Sequence, residues 1–114
     1  MESLPRILLL ESDARVASHL AIGFENAGAD LITADHALQA LQRLAQFTFS
    51  VAVIDYWRDA DDRAPVAQRL LQLGVPFVVH ALVEPPREWN APYVADPDLI
   101  VAAAMRLVRS PQTP

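Results

Sequence analysis

The run Phe49-Ser-Val-Ala-Val-Ile-Asp55 constrains this chain more than any other stretch. Val and Ile at neighbouring positions suit a strand covered on both faces, as in a parallel sheet between two helix layers. Such a run ends on a carboxylate only where the strand emerges at a rim. In open α/β sheets the rim at the carboxyl ends of the strands is where ligands bind. Asp55 is therefore either a functional acid in a shallow cleft or a polar stop that also caps the next turn. A second run, Arg6-Ile-Leu-Leu-Leu10, ends on acids as well, at Glu11 and Asp13. That favours the functional alternative.

The rest of the chain supplies partners for these two strands. Asp13 can cap a helix running to about Asn26, with Val16, Leu20, Phe24 and Ala27 as one apolar stripe. Gly28 suits a left-handed cap at its end, and Gly23 suits close packing on the sheet. Ala29 to Thr33 reads as a second, shorter strand. Asp35 is the expected cap of a helix that turns Leu38, Leu41, Leu44 and Ala45 inward. Tyr56 to Ala64 is a charged loop, in which Asp59, Asp61 and Asp62 read as solvated. Pro65 suits the first turn of a helix burying Val66, Leu70 and Leu73 and ending at Gly74. Pro76 to His80 is a fourth strand. Ala81 to Pro92 carries three prolines and no helical period, which predicts a loop. Tyr93 to Ala95 is a short fifth strand. Asp96 caps and Pro97 opens a last helix with Ile100, Ala103, Ala104 and Leu107 inside. His19 and His36 fall on helix positions with no evident acidic partner.

This alternation predicts right-handed crossovers and a parallel sheet with helices on both faces. The expected unit is a single domain over residues 1–114, with a core of about 5–109 and a flexible tail at 110–114. The length, 114 residues, is enough to bury a core unaided.

Composition narrows the function classes. The chain has no cysteine, which removes disulfides and thiolate metal sites. A net charge of −5 argues against binding a nucleic-acid backbone. No apolar run approaches a membrane span and no signal peptide is evident, so a cytoplasmic protein that engages neither membrane nor nucleic acid is expected. With three glycines, Gly23, Gly28 and Gly74, neither a dinucleotide fingerprint nor a P-loop can be built. No nucleophile-elbow signature is present either. An enzyme is not expected. All nine basic residues are arginine.

Together these residues resemble the receiver domain of bacterial response regulators, the chemotaxis-type, CheY-like family. The resemblance runs from about Arg6 to Leu107. Arg6-Ile-Leu-Leu-Leu-Glu-Ser-Asp13 is similar to that family's first strand and acidic pair. Ala34-Asp35, Ala40-Leu41 and Ser50-Val-Ala-Val-Ile-Asp55 follow its spacing into the phosphoacceptor aspartate, and Gly74-Val-Pro-Phe-Val-Val79 is similar to its entry into strand four. The resemblance implies a flavodoxin-like (βα)5 sheet of order 2-1-3-4-5. Here the fourth helix is missing or replaced by a loop. It also implies two-component or phosphorelay signalling, with a histidine kinase or a downstream effector as partner.

In that family the aspartate carboxylate accepts a phosphoryl group beside a magnesium ion, which prefers oxygen ligands. By resemblance Asp55 is the phosphoacceptor. Glu11, Asp13, Asp55 and the backbone carbonyl of Trp57 are the candidate metal ligands, with Asp59 as a further substitute. His80 stands at the position of the switch hydroxyl. The second acid position is Ser12, and the family's strand-five lysine has no counterpart, since the chain contains no lysine. Driving a two-state switch nearly to completion takes roughly 5.5 kcal/mol of differential binding. A charge-assisted hydrogen bond supplies about 1.5–3 kcal/mol. Losing both the lysine and the hydroxyl contacts removes most of that.

The expectation is a degenerate receiver, or pseudo-receiver, that acts through protein contacts, with magnesium bound weakly or not at all. The alternative is an atypical working phosphoacceptor at Asp55 with Mg2+. Two simpler readings go with this. His80 pairs with Asp55 or Glu11, and Asp13 serves the helix N-terminus. Trp89 and Tyr93 are interface candidates, for a homodimer or another partner, since a loop tryptophan is either presented as a hot spot or folded back onto the core.

Overall fold

The computed structural model describes residues 4–57 and 62–109. Arg58, Asp59, Ala60 and Asp61 lie outside the described residues, as does the expected tail from Ser110 to Pro114. Five strands form one parallel sheet: β1 (Arg6–Leu10), β2 (Asp30–Ala34), β3 (Val51–Asp55), β4 (Phe77–His80) and β5 (Tyr93–Val94). Their order is β2-β1-β3-β4-β5. The helices are α1 (Ala14–Asn26), α2 (Ala37–Gln46), α3 (Arg63–Leu73) and α4 (Pro97–Arg109). This is the flavodoxin-like arrangement. No helix stands between β4 and β5, where one 3-10 turn, Arg87–Trp89, interrupts the loop. Among the described residues no helix is long and apolar enough to cross a membrane.

Strand period divides the core in two. Leu8 and Leu10 of β1, Ala52 and Ile54 of β3, and Phe77 and Val79 of β4 pack against α2 and α3. Ile7 and Leu9, Val51 and Val53, and Val78 pack against α1 and α4 on the other face. A sheet covered on both sides needs these unbroken apolar runs, and it brings every strand end to one rim.

Local signals start and stop the helices. Asp13 Oδ1 accepts the Arg15 and Val16 N–H groups and caps α1. The cap of α2 is His36 rather than Asp35. His36 Nδ1 accepts the Gln39 N–H at 3.2 Å while Gln39 Oε1 takes the Asp35 N–H at 2.9 Å, a reciprocal arrangement like a capping box. Asp96 Oδ1 accepts the Asp98 N–H and opens α4. Gly28 and Gly74 follow α1 and α3 with φ of 80° and 71°, where a side chain is strained.

Several inward residues differ from expectation. Leu38 and Leu73 are exposed, as is Ala45, and Ala37, Ala40 and Ala67 are buried instead. The small residues let α2 and α3 approach the sheet, so the larger ones rotate outward. β2 begins one residue later than expected, at Asp30. Gly23 does not serve contact with the sheet. A Cβ there would meet Val101 Cγ2 of α4 at 2.8 Å, so the glycine allows two helices to approach.

Candidate functional site

β1, β3 and β4 end side by side, and their last residues form one buried polar array. Leu10 lies beside Ile54, and Asp55 lies beside His80. The parallel register therefore sets Glu11, Asp55 and His80 in a row. Burial at a rim that usually faces solvent is the unexpected feature. Asp55 is 0% exposed, and Glu11 and His80 are almost as enclosed.

Both oxygens of Asp55 are occupied. Oδ2 accepts the Ser12 backbone N–H at 3.0 Å and the Ser12 hydroxyl at 2.6 Å. Oδ1 faces Arg63, with Nη2 at 2.6 Å and Nε at 2.8 Å. Nε also donates to the backbone carbonyl of Asp55 at 2.9 Å, and Nη1 reaches Asp62 Oδ1 at 2.9 Å. Arg63 is only 4% exposed. It enters from the first residue of α3. Burial alone would push the Asp55 carboxyl up. The Ser12 hydroxyl and N–H, then the charge and hydrogen bond of Arg63, outweigh it and hold the carboxyl below its usual range.

Glu11 and His80 form the second pair. His80 Nδ1 lies 2.8 Å from Glu11 Oε1, and Glu11 Oε2 accepts the Asp13 N–H at 3.2 Å. The Glu11 hydrogen bond is the main reason the His80 pKa is raised. Burial opposes it, while the Glu11 charge, a hydrogen bond to the Ala95 backbone and the Asp55 charge add to it. The Trp57 ring meets the His80 ring edge-on, with centroids 5.0 Å apart. No buried side-chain polar atom lacks a partner among the described residues.

The structure thus brings together Glu11, Asp55, Trp57 and His80. It leaves Asp13 to the helix cap, and Asp59 lies outside the described residues. The donor set does not fit a divalent cation. Each carboxylate oxygen of Glu11 and Asp55 is engaged, and no group of three or more acids, histidines or cysteines among the described residues is placed to hold a metal ion. His80 takes Glu11, one of its two expected partners. His19 and His36 do have acidic neighbours, Asp98 at 2.8 Å and Asp35 at 3.5 Å, both at the surface.

Trp89 is 5% exposed and packs edge-on against Tyr56 at 5.2 Å and near Phe77 at 6.4 Å. It fills the space a fourth helix would occupy and is folded back onto the core, which corrects its reading as a presented hot spot. Tyr93 is partly exposed on β5.

Sequence reading missed Arg63, because Tyr56 to Ala64 reads as a charged, solvated loop, whereas Arg63 is the buried first residue of α3. A signal was present. A buried aspartate in a chain without lysine requires an arginine or histidine counter-ion, and Arg63 stands just ahead of Pro65.

The sequence matches no protein-family profile and no curated protein. Solved structures do resemble the fold. The receiver domain of the Francisella response regulator 1452 superposes with a TM-score of 0.78 at 18% identity, over 92% of this chain and 97% of that one. SdrG from Pseudomonas melonis, in its BeF3-activated conformation, gives 0.73 at 24% identity, over 96% and 100%. A de novo designed Rossmann 2x3 fold protein gives 0.73 at 13% identity, over 96% and 94%. The chain has the CheY-like receiver fold. The designed protein shares the backbone course nearly as well, so function has to be argued from the site.

Proposed function

We propose that this chain is a receiver-like signalling module of two-component type that works through protein–protein contacts and not through phosphorylation of Asp55. The observation that carries this reading is the enclosure of Asp55 between Ser12 and Arg63. A phosphoacceptor has to present a carboxylate oxygen in line with an incoming phosphoryl group. Here Oδ2 is held by Ser12 and Oδ1 by Arg63. Attack would require breaking a buried ion pair, and removing one partner of such a pair costs about 3–5 kcal/mol. The position of the switch hydroxyl is His80, already engaged with Glu11. A partner is then a kinase or effector that reads the surface of one standing conformation. The acidic balance of the chain favours a protein partner over nucleic acid.

The test is direct. Wild type is incubated with a small-molecule phosphodonor and Mg2+, and the intact mass is measured beside the Asp55→Asn variant. In parallel, Trp57 fluorescence is followed on addition of beryllofluoride. The expected result is no adduct and no saturable fluorescence change. A phosphoryl adduct that disappears in Asp55→Asn would establish the working-phosphoacceptor alternative instead.

A further inference from the structure

We infer that the guanidinium of Arg63 is a tethered counter-ion that takes the place of a divalent cation in this pocket. Three oxygens converge on it: Asp55 Oδ1, the Asp55 backbone carbonyl and Asp62 Oδ1, at 2.6 to 2.9 Å. Two carboxylate oxygens and a carbonyl are the hard donors that divalent cations prefer. An arginine holds them here, its planar fork matched to carboxylate geometry. The inference rests on the proposed function only in taking Asp55 as an unmodified carboxylate.

Charge balance supports it independently. The buried charged residues among those described are Glu11, Asp55, Arg63 and His80, and all four meet at this rim. Arg63 sets its positive charge 2.6 Å from the buried Asp55 carboxylate and also holds the exposed Asp62 carboxylate at 2.9 Å. A divalent ion added beside the buried Asp55 would meet the Arg63 cation already in contact with that carboxylate. Nothing would offset that repulsion, because each carboxylate is already paired. The pocket is therefore indifferent to Mg2+ because the chain supplies the cation itself, from the first turn of α3.

Removing the guanidinium should reverse this. Arg63→Ala frees the three oxygens and leaves Asp55 uncompensated, so the variant is less stable than wild type and gains stability from Mg2+ or Ca2+ by mass action. Thermal unfolding with and without millimolar Mg2+ reads the effect. Wild type and Arg63→Lys are expected to keep their Tm, and Arg63→Ala to rise by about 5 °C if the ion binds near-millimolar. Asp55→Asn in the Arg63→Ala background should abolish the rise. If Arg63→Ala does not fold in ion-free buffer, the same titration on Arg63→Gln, which keeps more side-chain volume without the charge, is expected to show the rise. A folded Arg63→Ala or Arg63→Gln that ignores both ions overturns the inference, as does a wild-type Tm that climbs with Mg2+ through Asp55. A phosphoryl adduct on wild type, by contrast, would overturn the proposed function and leave the cation titration to be read separately.

Discussion

At the scale of single residues, the buried charge among the described residues falls in two pairs, Asp55 with Arg63 and Glu11 with His80. Buried ions are tolerated when paired and hydrogen-bonded, and strongly destabilising when one partner is lost. The two pairs carry opposite pH signs. Asp55 is depressed, so its contribution is present above the ordinary carboxylate pKa and is lost as pH falls through the lowered value in the folded chain. His80 is raised, so its contribution is fully present below its ordinary value of 6.5 and is lost as pH rises through the raised one. On deprotonation the ring keeps one N–H for two acceptors, Glu11 and the Ala95 carbonyl. Wild-type Tm is therefore expected to fall as pH rises above 6.5 and through the raised His80 value, and His80→Gln to flatten that limb. A limb of the same slope in His80→Gln would assign it to another group.

At the scale of elements, close helix approach matters more than side-chain bulk. α1 and α4 meet at Gly23, where the opposing group is the branched side chain of Val101. Valine in a helix holds one rotamer, so it yields little. Gly23→Ala would gain about 1 kcal/mol of helix propensity and lose about 1–3 kcal/mol to overpacking. The expected result in urea unfolding is a net loss of about 1 kcal/mol. In the Val101→Ala background that loss should shrink, with a coupling of about 1 kcal/mol. A stabilised Gly23→Ala would show that the helices separate at no cost. The same preference for small inward residues explains α2 and α3. Apolar spacing marked both helices, but the inward face of α2 follows Ala37, Ala40 and Leu44, and leucine positions alone misplace it by part of a turn.

At the scale of the whole molecule, the loop from Ala81 to Pro92 does a helix's work with one tryptophan. Trp89 joins the core on the α2 and α3 face through Tyr56 and Phe77. Truncating it leaves a cavity next to β4, so Trp89→Ala is expected to cost about 3–5 kcal/mol and to leave the apparent mass in light scattering as in wild type. A lower mass with unchanged stability would return Trp89 to an interface. Tyr93, with Leu82 and Val83 close to it in the chain, remains exposed on this side.

The alternation of strands and helices and the carboxylate rim could be read from the sequence, because period, caps and apolar runs are local properties of a chain, whereas the sheet order was implied only by the resemblance to receiver domains. The strands that end on Glu11 and Asp55 lie side by side because the sheet order places β3 next to β1, and the missing fourth helix followed from prolines. What those carboxylates do was decided by tertiary structure. Arg63 is eight residues from Asp55 along the chain, separated by a charged stretch with no apolar pattern, and only the docking of α3 carries its guanidinium into the pocket. Likewise β4, folded beside β3, brings His80 to Glu11 across 69 residues of chain. Counter-ion choice depends on distances of a few ångströms between remote segments. Hydrophobic periodicity carries no record of such distances, because charged residues at a solvated surface and at a closed pocket are written with the same letters.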